Sequence, residues 1–120
     1  MLFRSRVMEW ADTNPNIKRW SSEEIVIPYK SPVDNRYHRY FVDFYVEALR
    51  SDGETVKMLL EVKPKAQTLE PAPAKRKTKR YITEVVTYGI NQAKWKAAEE
   101  YCKDKGWQFM LITEDQLFRK

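Results

Sequence analysis

Residues 59–67 read "LLEVKPKAQ", an apolar strand that carries two charges near its centre. Side chains alternate between the two faces of a strand, so Glu61 and Lys63 share one face while Leu60 and Val62 share the other. Such an apolar strand is expected to be buried, and burying an unpaired charge costs free energy. The two charges therefore need partners, and those partners indicate what the strand is for.

The strand that precedes it supplies one such partner. Residues 37–49, "YHRYFVDFYVEAL", alternate as a single strand with Asp43 between apolar neighbours. Asp52 and Gly53 then predict a hairpin turn, which folds this strand antiparallel beside the next one. We therefore expect Asp43 to lie next to the face that carries Glu61.

These three charged residues have two interpretations. In the first, Lys63 forms a buried ion pair with Asp43 or Glu61 that only holds the sheet together; apolar replacements of such pairs are often neutral or stabilising, so stability explains the pair poorly. In the second, the two carboxylates bind Mg²⁺, which takes further ligands from water and phosphate. Lysine would then offset the charge that develops as a phosphodiester is hydrolysed. An Asp and a Glu-x-Lys on successive apolar strands favour the metal site.

The composition of the chain indicates one globular domain spanning residues 1–120. Hydrophobic residues make up 42% of the chain, enough for a core without disulfides. Cys102 is the single cysteine, which excludes an intramolecular disulfide and favours a reducing compartment. No apolar run approaches the length of a membrane span. We expect a soluble, intracellular protein without membrane contact.

The remaining patterns place the other elements of the fold. They predict a short helix over residues 1–14, a short strand over 23–30, the hairpin of two strands, a long helix over 81–105 closed by Gly106, and a final buried strand over 107–114. This order is typical of an α/β fold with a small mixed β-sheet flanked by helices.

Residues 64–80 are predicted to form a flexible basic loop. The formal net charge of the chain is +5, and Glu70 is the one acid in this segment. Its basic residues are Lys65, Lys75, Arg76, Lys77, Lys79 and Arg80. A basic, proline-containing arm is common in proteins that bind nucleic acid. Alternatively, the segment is a solvated loop that its lysines keep soluble. Composition leaves both interpretations open.

A resemblance to a known family rests on the two charged motifs. Asp43 of "VDF" (42–44) lies eighteen positions before Glu61 of "EVK" (61–63), within a frame that begins with "VIPYK" at 26–30. This frame and the later "FMLITE" resemble the PD-(D/E)XK nuclease superfamily, in the branch of the transposon TnsA-type endonucleases and the head completion nucleases of tailed phages. Val42 stands where that pattern has proline.

The resemblance implies a restriction-endonuclease-like core and a Mg²⁺-dependent deoxyribonuclease in which Mn²⁺ can substitute. It assigns Asp43 and Glu61 as metal ligands and Lys63 as the catalytic lysine. The family often adds an acid from the first helix, where Glu9 matches. It often has a glutamine or lysine on the helix after the core, where Gln92 matches.

DNA contacts are expected on both sides of the site. Lys65 follows the strand of "EVK" directly, so the basic loop would emerge beside the scissile phosphate and position a duplex without reading its sequence. Arg36, His38 and Arg39 precede Asp43 and are expected to contact DNA as well. His38 is expected to be a surface residue, because no second His or Cys stands at metal-ligand spacing.

The phage relatives imply a head completion nuclease, an endonuclease that acts on packaged double-stranded DNA. Phage head or portal proteins would be its partners, in the host cytoplasm or associated with the virion. Two alternatives stay open: a non-catalytic DNA-binding protein of head or neck assembly, and an endonuclease of transposition or host defence. The sequence also leaves open the cleavage specificity, endonuclease against exonuclease action, and the oligomeric state, a dimer included.

Overall fold

The computed structural model describes residues 2–117. Its helices and strands are α1 (Leu2–Thr13), β1 (Ile17–Ser22), β2 (Val26–Lys30), β3 (Tyr37–Phe41), β4 (Phe44–Leu49), β5 (Thr55–Val62), α2 (Lys65–Thr68), α3 (Lys79–Lys105), β6 (Gln108–Ile112) and α4 (Glu114–Leu117). Within this part of the chain, no helix is both long and apolar enough to cross a bilayer.

The main sheet has four strands in the order β1-β4-β5-β6. β4 pairs antiparallel with β1 and with β5, since a tight hairpin with Gly53 at φ 88° joins β4 to β5. β6 pairs parallel with β5, because α3 carries the chain back across the sheet before β6 begins. The sheet is therefore mixed, as predicted. β6 is an edge strand with Met110 exposed, so the prediction that this strand is buried was wrong.

Each face of the main sheet is covered by a helix. On one face, Val7 of α1 packs with Phe44 and Leu60. On the opposite face, Trp95 of α3 packs with Leu59. Neighbouring residues of β5 thus belong to different cores, as the alternation of "LLEV" predicts, and the flanked mixed sheet of an α/β fold is confirmed.

The single strand predicted over residues 37–49 is wrong, because the chain bends between β3 and β4. β3 pairs with β2 in a separate two-stranded sheet, while β4 belongs to the main sheet. The bend lies where the Glu23 N–H donates to the Asp43 carbonyl (3.1 Å), and Glu23 has a left-handed backbone with φ 55°. The two paired segments turn together here, which leaves Asp43 outside regular strand.

β1 was missed at the sequence level. Its residues, "IKRWSS", are exposed or half-buried throughout, so they show neither an apolar run nor a clean alternation. The strand exists because β4 offers it a partner with register from Ile17↔Ala48 to Ser22↔Phe44. Tertiary pairing outweighs local propensity at this sheet edge.

The loop in the basic segment is shorter than predicted, and both of the predicted bounds, 64 and 80, are wrong. Lys65–Thr68 form the short helix α2, and α3 already begins at Lys79. The Thr78 hydroxyl accepts a hydrogen bond from the Tyr81 N–H (3.1 Å) and so caps α3, which begins two residues before its predicted start. The predicted C-terminal cap is confirmed, with Gly106 left-handed at φ 72°.

The bend at Glu23 predicts a stability change. Replacing Glu23 by glycine should raise the free energy of unfolding by about 1 kcal/mol, because a residue with a Cβ is strained at positive φ. Urea denaturation measures this. Glu24→Gly is the matched control: Glu24 is also exposed and has no positive φ, so glycine there should only lower stability. Equal losses in both variants would contradict a strained bend.

Candidate active site

Asp43 lies at the bend between β3 and β4, and both of its carboxylate oxygens are engaged. Oδ2 accepts a hydrogen bond from the Val62 backbone N–H at 2.9 Å. Oδ1 accepts one from Arg4 Nη1 at 2.6 Å, a charge-assisted bond between side chains that are 15% and 25% exposed. The carboxylate is thereby fixed against the end of β5, beside Glu61.

Glu61 is a buried acid in an environment that disfavours its charge. The residue is 5% exposed, and its Oε1 has no hydrogen-bond partner among residues 2–117. Burial raises the pKa of Glu61 to about 7, with the charge and hydrogen bond of Asp43 acting in the same direction and Tyr40 and Lys63 opposing it. The two carboxyl groups are therefore close neighbours, and Glu61 changes protonation near neutral pH.

Tyr40 is a buried residue beside Glu61 on the α3 side of the site. Its hydroxyl is buried without a hydrogen-bond partner in the described chain. Burial raises the pKa of Tyr40 well above its ordinary value, and Glu61 adds to that shift. Lys94 Nζ lies 5.6 Å from the centre of the Tyr40 ring. Burial of Glu61 away from water strengthens every electrostatic interaction that its carboxylate makes.

Lys63 lies two residues beyond Glu61 and just past the end of β5. Its backbone N–H donates to the Ile112 carbonyl (3.0 Å), which continues the pairing of β5 with β6. Its half-buried side chain makes no ion pair within 4.0 Å anywhere in the described residues. The ion-pair interpretation is therefore wrong for Lys63, because Arg4 is the cation that pairs with Asp43.

Arg4 was not identified from the sequence. It lies one turn before Val7 on α1, and Val7 and Ala11 are buried against the sheet. The sequence carried one signal for Arg4: it is a basic residue at helical spacing from the apolar residues Val7 and Ala11. Its partner could not be identified, because the contact joins residues 39 positions apart.

Glu9 is not brought to this cluster. It is exposed and lines a cavity of about 550 Å³ between α1 and the main sheet, together with Met58, Leu60 and Met110. Asp43, Glu61 and Lys63 are not among the residues that line this cavity. On α1, it is the side chain of Arg4 that reaches Asp43.

Gln92 is exposed on α3 and lines an open cavity of about 650 Å³ with Thr68 and Leu111. Leu111 is the strand partner of Glu61, so this cavity borders the site across β6. The buried polar residue on this part of α3 is the preceding one, Asn91, which is 5% exposed. Gln92 is therefore exposed beside the site, one position after the polar residue that α3 buries.

The residues expected to contact DNA fall on two surfaces. Arg36, His38 and Arg39 lie on the hairpin of β2 and β3, where all three are exposed and His38 pairs with Asp34 (2.8 Å). The cations of the basic segment are exposed as well: Lys65, Lys75, Arg76, Lys77, Lys79 and Arg80.

Ion pairs divide this second surface into neutralised and unneutralised cations. Lys65 pairs with Asp115 (3.1 Å) and Arg80 with Glu84 (3.2 Å). Lys75, Arg76 and Lys79 make no ion pair within residues 2–117. Positive charge is therefore available at the connection between α2 and α3.

The chemistry of the donor set fits a hard divalent cation. Asp43 and Glu61 bring two carboxylates together, and the buried Oε1 of Glu61 lacks the partner that a buried polar atom requires. Over the described residues, no group of three or more His, Cys, Asp or Glu side chains forms a closed metal cage. Mg²⁺ commonly binds through one or two carboxylates and keeps waters, so two are sufficient.

The raised pKa of Glu61 predicts how stability depends on pH. The folded protein holds the Glu61 proton up to about pH 7, whereas the ordinary value is 4.5, so stability from this group is full below about pH 4.5 and is lost as the pH rises through 7. In EDTA, the free energy of unfolding of Glu61→Gln relative to that of wild type should therefore increase by on the order of 3 kcal/mol as the pH rises from 5 to 8.5. Urea unfolding across this range measures the gain, and exposed Glu54→Gln is the control. A pH-independent difference would contradict the buried carboxyl.

Comparisons with known proteins identify the family of this chain. The family model described as "TnsA-like endonuclease N terminal" matches residues 14–114. The chain is 38% identical over 113 residues to the head completion nuclease of Enterobacteria phage T4, which covers 91% of this chain and 73% of that protein. No solved structure matches the chain.

Asp43, Glu61, Lys63 and Gln92 lie inside the matched range, whereas Arg4 and Glu9 lie outside it. The resemblance inferred from "VDF" and "EVK" is confirmed, and so is the prediction of a DNA endonuclease. The chain belongs to the TnsA-like endonucleases of the PD-(D/E)XK type.

Proposed function

We propose that this protein is a divalent-metal-dependent DNA endonuclease of phage head completion. Asp43 and Glu61 hold Mg²⁺, which Mn²⁺ can replace, and Lys63 is the catalytic lysine. The buried Glu61 Oε1 carries the proposal, because it belongs to a carboxyl group beside Asp43, has no hydrogen-bond partner among residues 2–117, and is the kind of oxygen that accepts a cation.

The side chains divide the chemistry among them. When bound, the ion supplies positive charge to the phosphoryl oxygens and makes water easier to deprotonate. Glu61 must be ionised to bind it, so the raised pKa of Glu61 makes binding compete with a proton near neutral pH. Lys63 extends from the same strand end without an ion pair in the described chain, which leaves its ammonium able to orient the attacking water and offset developing charge.

Two exposed surfaces are proposed to hold the DNA. The hairpin of β2 and β3 ends at the bend that carries Asp43, so Arg36, His38 and Arg39 lie on the element that leads directly into the site. The basic segment follows α2, directly after Lys63. Cations before Asp43 and after Lys63 in the chain suit a duplex whose phosphates are contacted without base readout.

The biological role follows from the relative and from the proposed chemistry. The T4 protein is named a head completion nuclease, and its similarity extends over 91% of this chain. We propose the same role here, with packaged double-stranded DNA as the substrate. The protein would act in the host cytoplasm or associated with the virion, in contact with phage head or portal proteins.

Cleavage of plasmid DNA in Mg²⁺ or Mn²⁺ tests the enzyme. Wild type should cut, and Glu61→Ala and Lys63→Ala should each lose at least about 100-fold in rate, because the first removes a ligand of the metal ion and the second removes a cation that offsets the charge of the transition state. Lys57→Ala is the matched control, an exposed lysine of β5 that should cut normally. Duplex binding without cleavage by wild type would instead favour the non-catalytic assembly protein.

The salt dependence of binding tests the basic segment. Alanine at Lys75, Arg76 and Lys79 together should make the slope of log K against log salt shallower by about 2.7, since each phosphate contact contributes about 0.9. Fluorescence anisotropy with a short duplex in EDTA measures the slope without cleavage. A control triple variant replaces three exposed lysines elsewhere, Lys18, Lys57 and Lys103. Equal slopes in the two triple variants would contradict the proposal that the basic segment contacts DNA.

A further inference from the structure

Arg4 lies between two carboxylates and forms a hydrogen bond with only one of them, that of Asp43. Its Nη1 is 2.6 Å from Asp43 Oδ1 and 4.0 Å from Glu23 Oε1. Its Nη2 donates to Ser22 Oγ at 2.9 Å, and its guanidinium lies 5.3 Å from the centre of the Phe44 ring. The side chain is therefore held in place by contacts that do not involve Asp43.

The two carboxylates differ in exposure. The Asp43 side chain is 15% exposed, whereas that of Glu23 is 59% exposed. The shorter contact is thus the less solvated one, where an ion pair is strongest. Glu23 stays within reach of the same guanidinium while Ser22 continues to anchor it. Arg4 has a second acid available without leaving its place on α1.

A metal ion on Asp43 would compete with Arg4 for the same carboxylate. Mg²⁺ binds carboxylate oxygens at about 2 Å, so an ion on Asp43 would stand within about 5 Å of the Arg4 charge. Like charges at that distance repel, and Asp43 Oδ2 is already engaged by the Val62 N–H. We propose that Arg4 is the counter-ion of Asp43 in the metal-free protein, and that a divalent cation displaces the Arg4 guanidinium towards Glu23. This proposal rests on the proposed metal site.

Arg4 is accordingly a positioning residue for Asp43. Without metal, it compensates the charge of a carboxylate that faces a second carboxyl group at Glu61, and so holds the site together. With metal, that compensation is supplied by the ion. The affinity for metal is then set by the competition, and Arg4 and Glu23 act on it in opposite directions.

Calorimetric titration with Mn²⁺ at pH 8 tests the exchange. Arg4→Met keeps an apolar stem over Phe44 and removes the competitor, so it should bind Mn²⁺ about tenfold more tightly than wild type. Glu23→Gln removes the place to which the guanidinium moves, so it should bind more weakly. Arg4→Lys should bind with about wild-type affinity. The matched control is Arg19→Met, since Arg19 pairs with Glu24 and Glu47 and does not touch Asp43.

The outcomes separate the exchange from the metal site. Unchanged or weaker binding by Arg4→Met, with Mn²⁺ still bound by wild type and lost in Asp43→Asn, would overturn the exchange and leave the nuclease site intact. No Mn²⁺ binding by wild type would overturn the site and the exchange together. If Arg4→Met fails to fold, the exposed Glu23→Gln decides, because unchanged affinity there contradicts the exchange.

Discussion

The arrangement of this site depends on the contacts of one residue, Asp43. Its backbone carbonyl accepts the Glu23 N–H at the bend, its Oδ2 accepts the Val62 N–H, and its Oδ1 binds Arg4. One residue thus joins the bent strand pair, the end of β5 and the first helix. Because each contact reaches a different element, the position of this carboxylate is determined by the whole fold rather than by its own strand.

The same arrangement explains why Glu61 is kept at a cost to stability. A buried acid beside another acid favours the protonated form, and an apolar residue on β5 would be easier to accommodate. Arg4 compensates the charge of Asp43, whereas Glu61 Oε1 has no such partner among the described residues. A cation that binds both carboxylates would offset the cost of burying the Glu61 charge and the repulsion between Glu61 and Asp43. The proposed metal site would therefore account for a pair of charges that folding alone disfavours.

The sequence predicted the parts of this site that depend on period-two alternation and turn chemistry. The hairpin at Gly53 and the opposite faces of Leu60 and Glu61 follow from local rules, and the family motif adds the roles of Asp43 and Lys63. The bend at Asp43 was missed, because it depends on a left-handed residue that lies twenty positions earlier in a paired segment.

The helices show the same limit of local rules. Periodicity found α1 and α3 but not which polar residue each helix directs inwards. Arg4 rather than Glu9 reaches Asp43, and Asn91 rather than Gln92 is buried on α3. A helix rotates by about 100° per residue, so an error of one position moves a side chain away from the face it was assigned to. Only tertiary contacts with the sheet fix that rotation.

A crystal structure determined with Mn²⁺, using its anomalous scattering, tests the central claim most directly. The account predicts one anomalous peak about 2 Å from a carboxylate oxygen of both Asp43 and Glu61, with the Arg4 guanidinium moved from Asp43 towards Glu23. Crystals saturated with Mn²⁺ that show no peak between these carboxylates, and Arg4 still bonded to Asp43, would contradict it.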